Sequence, residues 1–216
     1  VLQVCTLIIW QTDNLVIATQ RRADQVVPYA VAFRLIWIPL TLLSSIPGVL
    51  WPAYTEAKER GDWNWIQETY RRTTVITVLF ASLAAVLIAV WGQEFIGVWA
   101  GPKAQSDHWL MIGLCLYLVV GHWTNCNAIM VNAIGRQIEQ VFSGILDASL
   151  NLGLSLWFIR LWGLAGVAWG TTLACLFVSA WFLPWSVWRA TDKRVTPPWR
   201  EALSLLIIPA AANLLI

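Results

Sequence analysis

The stretch TTVITVLFASLAAVLIAVWG, residues 73–92, decides the fold. It carries no charged side chain and is bracketed by Arg71 and Arg72 on one side and Glu94 on the other. About 20 such residues in a helix, each adding about 1.5 Å of rise, cross the roughly 30 Å of hydrocarbon in a bilayer. Outward from this run the same pattern recurs. Apolar runs between charged or turn-rich breaks predict spans over 1–20, 26–53, 73–99, 108–133, 138–159 and 162–184, with an incomplete one from 201. The expected fold is all-α, a polytopic bundle of six transmembrane helices plus the start of a seventh.

Composition points the same way. Hydrophobic residues make up 58% of the 216 and charged residues 12%, about half the roughly 25% charged share of a soluble domain. Mean hydropathy is +0.64. A soluble fold of this size could not clothe its surface with so few charges. Of the 16 Trp, Trp51, Trp91, Trp99, Trp109, Trp157, Trp162, Trp181 and Trp185 sit at the ends of apolar runs, where an amphipathic indole suits the headgroup region.

Catalytic and metal chemistry find little support. Cys5, Cys115, Cys126 and Cys175 fall inside apolar runs without metal-ligand spacing, and His108 and His122 are the only histidines. No Ser/His/Asp arrangement or glycine-rich phosphate loop is present. The expectation is a protein that is not an enzyme, with no cofactor, no metal and no nucleic-acid partner. Val1 opens inside one apolar run and Ile216 closes inside another, with no start methionine, which reads as a piece of a longer protein.

Sidedness follows from the cations, which are retained on the cytoplasmic side. Arg21, Arg22, Lys103 and Arg160 lie on one side; Lys58, Arg60, Arg71, Arg72, Arg136, Arg189, Lys193, Arg194 and Arg200 lie on the other, which should be cytoplasmic. The connection over 55–73, TEAKERGDWNWIQETYRRT, reads either as an amphipathic helix lying on the membrane face or as a solvated loop. RATDKRVTPPWR, 189–200, with its Pro197-Pro198 pair, reads as a joint between two packed groups of helices.

Polar groups in hydrocarbon cost several kcal/mol unless paired or facing water, so function should leave its marks there. Asp13 and Arg34 sit at similar depth, near 12 Å, on consecutive antiparallel spans. They read as an ion pair that either neutralises itself or lines a hydrated path in which Arg34 grips an anionic group. The fifth span carries Gln140, Ser143, Gly144, Asp147, Asn151 and Ser155 along one stripe, and the fourth carries His122, Asn125 and Asn132, with Asn127 on another face. Both stripes have two readings, a substrate path or interhelical hydrogen bonding. Gly166 and Gly170 form a small-xxx-small pair for close packing, and Pro28, Pro39, Pro47 and Pro52 make the second span irregular.

QTDNLVIATQRRADQVVPYAVAFRL (11–35), PGVLWPAYTEAKERGDWNWIQETYRR (47–72), VNAIGRQ (131–137) and GLAGVAWGTT (163–172) occur in that order. Together they resemble the second half of bacterial polysaccharide and O-antigen flippases, of the multidrug/oligosaccharidyl-lipid/polysaccharide exporter superfamily. The resemblance covers roughly residues 10 to 175, with WPAYTEA and the following GDW its sharpest element. It implies two six-helix lobes around a central cavity and alternating access. Residues 1–200 would be the second lobe and 201–216 the start of an additional helix, the N-terminal lobe being absent from this chain. It further implies the bacterial cytoplasmic (inner) membrane, membrane lipids as surroundings, and an isoprenoid-diphosphate-linked oligosaccharide as substrate. Arg34 is the basic residue within a span that matches the expected contact with its anionic part.

The first rival is a cation-coupled multidrug exporter of the same superfamily, in which Asp13 or Asp147 would bind a coupling proton or sodium ion. A membrane-embedded glycosyltransferase or polymer ligase ranks last, because the longest connection is under about 20 residues.

Overall fold

The computed structural model describes Asp13, residues 16–20 and residues 26–212, with side chains through Leu205. The protein is an all-α bundle. After helical residues at Asp13 and 16–20 come α1 (Val26–Gly48), α2 (Trp51–Glu59), α3 (Trp63–Trp99), a 3-10 turn (Pro102–Ala104), α4 (His108–Ala133), α5 (Gln137–Trp162), α6 (Leu164–Phe177), α7 (Ser179–Ala190) and α8 (Trp199–Ala212). Five stretches among the described residues are long and apolar enough to span a membrane: Val26–Glu59, Trp63–Trp99, His108–Ala133, Gln137–Trp162 and Leu164–Ala190. Most of the expected span over 1–20 lies outside the described residues.

The core gathers around α4. Of its most apolar window 72% is buried, against 17% in Val26–Glu59 and 28% in Gln137–Trp162. Leu110, Met111, Leu114, Cys115, Leu118 and Met130 are all but inaccessible. The eight Trp expected at headgroup level are all exposed, as are Ile76, Phe80, Leu83, Leu87, Trp91 and Phe95, which recur at intervals of three and four along α3. An apolar face this long has hydrocarbon as its natural solvent. The protein is a multi-pass membrane protein.

Two connections differ from their sequence readings. Residues 55–73 form neither a free loop nor a helix lying flat. Residues through Glu59 belong to α2, Gly61 turns the chain at φ 74°, and Asp62 caps α3 by accepting from Trp65 N at 3.1 Å. The remainder is the first turns of a continuous 37-residue helix. At about 1.5 Å per residue α3 is roughly 55 Å long, well beyond the hydrocarbon thickness. Its projecting end is packed, because Tyr54, Ala57, Ile66 and Tyr70 join Met130, Val131, Leu183, Val187 and Val195 in a second core cluster.

The 189–200 segment is likewise held in place and is not a joint between separate groups. Val195 is fully buried. Gln67 Nε2 donates to Thr196 O at 3.1 Å, and Thr196 N donates back to Gln67 Oε1 at 2.5 Å. Beyond it α8 packs on α3 and α4, with Trp199 against Trp123 and Trp181, both at 5.1 Å between ring centroids. Ser82 Oγ donates to Leu205 O at 3.1 Å.

The cations assigned to one side by sequence do converge. Lys58 Nζ donates to Ile134 O, Arg71 pairs with Glu201, Arg194 lies over Trp63, and Arg136 pairs with Glu139, to which Ser186 also donates. These contacts draw α2, α3, α8 and the α4–α5 and α7–α8 connections to one charged end.

Candidate functional site

Polar chemistry inside the bundle is organised around Asp13. Its side chain is buried, and Oδ2 accepts from Tyr29 Oη at 2.7 Å and from Thr171 Oγ1 at 3.1 Å. Thr171 Oγ1 in turn accepts from Asn151 Nδ2 at 3.2 Å, and Asn151 Oδ1 accepts from Ser155 Oγ at 2.9 Å. The chain of hydrogen bonds runs from Asp13 through α6 to α5. Asp13 Oδ1 meets no donor among the described residues.

The close approach of α5 and α6 makes this geometry. Gly163, at φ 61°, is the sole residue between the two helices. A Cβ at Gly166 would overlap the backbone of Phe158, and one at Gly170 would stand 2.7 Å from Ser155 Oγ. Gly166 and Gly170 thus serve the packing role expected of them. Nearer the charged end a second knot forms, where Ser143 and Ser179 hydroxyls are 3.0 Å apart and Ser179 Oγ donates to Asp147 Oδ2 at 2.7 Å. Asp147 is half-buried.

The expected Asp13–Arg34 ion pair does not form. Azimuth keeps them apart. Tyr29, Ala32 and Ile36 make the buried face of α1, and Arg34, five residues after Tyr29, lies roughly 140° around the helix from it. Arg34 is exposed, and no ion pair involves it among the described residues. The same outward side of α1 carries Ile38, Thr41, Leu42 and Ser45. The hydroxyls of Thr41 and Ser45 donate back to carbonyls of their own helix.

A membrane transporter is the likeness that emerges. Over 181 residues, 83% of its length, the chain is 20% identical to a Salmonella typhi protein named "Putative O-antigen transporter". The chain covers 42% of that relative, so it spans less than half of its length. No family model and no solved structure matches the chain significantly.

The other candidates divide. On the α5 stripe, Asn151, Ser143 and Asp147 are engaged in interhelical hydrogen bonds, while Ser155 donates within α5 to Asn151. On α4, His122 is fully buried with Nδ1 2.8 Å from Leu118 O, while its Nε2 has no partner among the described residues. Asn125 Nδ2 and Asn132 Oδ1 are also without one. Asn127, which the sequence set apart, is held at both ends: it accepts from Tyr70 Oη at 2.5 Å and donates to Trp123 O at 2.7 Å. Sequence reasoning missed Tyr29, Tyr70 and Thr171. The available signal was helical phase, since Tyr29 shares its face with apolar Ala32 and Ile36.

Proposed function

We propose that this chain is one lobe of a flippase that moves an isoprenoid-diphosphate-linked oligosaccharide across the bacterial inner membrane by alternating access. Residues 1–200 form the lobe, residues 201–216 begin an additional helix, and the charged end faces the cytoplasm. The other lobe comes from chain outside these residues.

Arg34 carries the reading. It is the ninth residue of α1, about 12 Å along a membrane helix, and its side chain is exposed on an α1 face that the bundle leaves open. An arginine at that depth is strongly disfavoured against lipid and belongs beside water or a partner. A second lobe across a hydrated cavity satisfies it, and a diphosphate suits its guanidinium. The likeness to a protein named for O-antigen transport supports the same substrate class.

Arg34→Gln and Arg34→Lys in the full reading frame test this in cells lacking the gene. The Gln variant should accumulate lipid-linked sugar on the inner leaflet at normal membrane levels, and the Lys variant should restore part of the export. Normal export by Arg34→Gln would remove Arg34 from the path.

Asp13 favours a second reading, a cation-coupled exporter, because one oxygen of a buried carboxylate lacks a donor among the described residues. Its coupling ion would be a proton or sodium. Deletion then gives drug sensitivity with intact glycans, whereas loss of the flippase gives the reverse.

A further inference from the structure

Seven of the nine cations assigned to the charged end fall into two sets, Lys58 being held instead by the Ile134 carbonyl. Arg60, Arg71, Arg72 and Arg136 each lie against a carboxylate, respectively Glu56 at 3.4 Å, Glu201 at 2.9 Å, Glu68, and Glu139 at 2.5 Å. Arg189, Lys193 and Arg194 lie over indole rings instead: Trp185 at 5.1 Å, Trp188 at 5.0 Å and Trp63 at 5.5 Å from the centroids. The difference is chemical. A carboxylate neutralises a cation and occupies its N–H donors, whereas a ring face attracts the charge through its quadrupole and leaves donors free for an anion.

The turn that presents this second set is built firmly. Thr191 is buried and its hydroxyl accepts from Val195 N at 3.2 Å, Val195 is buried, and Thr196 is bonded twice to Gln67. Between these anchors Asp192 and Lys193 adopt left-handed φ values of 50° and 66°. Over residues 189–196 Asp192 is the one carboxylate, against three cations. Trp185 and Trp188 are exposed at the end of α7, where indoles sit at headgroup depth.

We propose that Arg189, Lys193 and Arg194, framed by Trp63, Trp185 and Trp188, form a binding surface for the phosphate headgroups of anionic phospholipids in the cytoplasmic leaflet. The leaflet rests on the sidedness given under Proposed function, but lipid binding in detergent does not. An anionic leaflet surface attracts clustered basic side chains, and the rigid turn spares these cations the ordering cost of long side chains free in water.

Native mass spectrometry of the full chain in detergent, with phosphatidylglycerol and phosphatidylcholine added in turn, tests this. The unmodified protein should retain phosphatidylglycerol preferentially. Arg189→Gln/Lys193→Gln/Arg194→Gln should lose that preference by roughly 10- to 100-fold. Arg60→Gln/Arg72→Gln/Arg136→Gln, which removes as many charges from the carboxylate-paired set, should keep it. Arg189→Lys/Arg194→Lys should also keep it, which separates lost charge from misfolding. Equal retention of the two lipids by the unmodified chain, equal losses in the two triple variants, or preferential capture of an isoprenyl diphosphate over phosphatidylglycerol would each overturn the proposal. Transport is not read in this experiment, so a failed flippase assignment leaves its outcome interpretable.

Discussion

Thr171 Oγ1 stands 3.1 Å from Asp13 Oδ2, joining positions 158 residues apart in the chain. The same carboxylate oxygen takes the Tyr29 hydroxyl, so one side chain binds α1 and α6 to the helix that precedes them. Hydrogen bonds between membrane helices average only about 0.6 kcal/mol net. Their larger effect is to avoid a polar group left alone in hydrocarbon, which costs several kcal/mol.

Thr171→Val removes the donor to Asp13 and the acceptor for Asn151 together. Unfolding in detergent should show a loss of about 1–3 kcal/mol. Thr41→Val, on the exposed face of α1, should change stability by less than about 0.5 kcal/mol. Equal effects at the two positions would show that the Asp13 network contributes nothing.

Gly166→Ala forces a methyl group into the Phe158 backbone, which cannot rotate away. Overpacking of this kind costs about 1–3 kcal/mol. Gly144→Ala, where no atom lies within 4 Å of the added Cβ, should be neutral or slightly stabilising because alanine is the better helix former. Thermal melts of the two variants check the contrast, and a normal melt for Gly166→Ala contradicts the close α5–α6 approach.

Gln67→Ala frees the Thr196 amide. Losing hydrogen bonds worth about 1 kcal/mol each should speed amide exchange at Thr196 about tenfold. Exchange at the Met130 amide, inside α4, should not change. Unaltered exchange at Thr196 would mean that the 189–200 segment is held by Val195 burial alone.

Arg71 and Glu201 pair at 2.9 Å with side chains 61% and 35% exposed. Water and salt screen such a contact, so a double-mutant cycle with Arg71→Gln and Glu201→Gln should give a coupling of about 0–1 kcal/mol that fades at high ionic strength. A coupling above about 2 kcal/mol would identify this pair as the principal clamp between α3 and α8.

Sidedness is testable at single positions. On a background without native cysteines, Lys103→Cys should react with an impermeant thiol reagent in intact cells, and Lys193→Cys only after permeabilisation. The opposite pattern inverts the topology and removes the cytoplasmic assignment of the charged end.

Much of the fold was legible because its signals are local. His108–Ala133 coincides with the expected fourth span, and Gln137–Trp162 differs from the fifth by a few residues. The 55–73 segment was not legible. Its charges disguised a helix that continues past the hydrocarbon, and the buried partners of Ile66 and Tyr70, such as Met130 and Val187, lie far along the chain. The polar stripe of α5 was visible as a stripe, yet its reading stayed open, since a helix face suited to water is equally suited to another helix with matching donors.

The sequence by itself determined that most of this chain lives in lipid, where the helices of the fourth and fifth spans begin and end within a few residues, and which connections share the cations. Those properties follow from transfer free energies summed over short windows, and no distant residue is needed to evaluate them. Tertiary structure alone decided that Asp13 turns to Tyr29 and Thr171 while Arg34 points away, and that Gln67 grips Thr196. Such pairings depend on the rotation of each helix about its axis and on which neighbour lies within hydrogen-bonding distance, quantities that only packing sets.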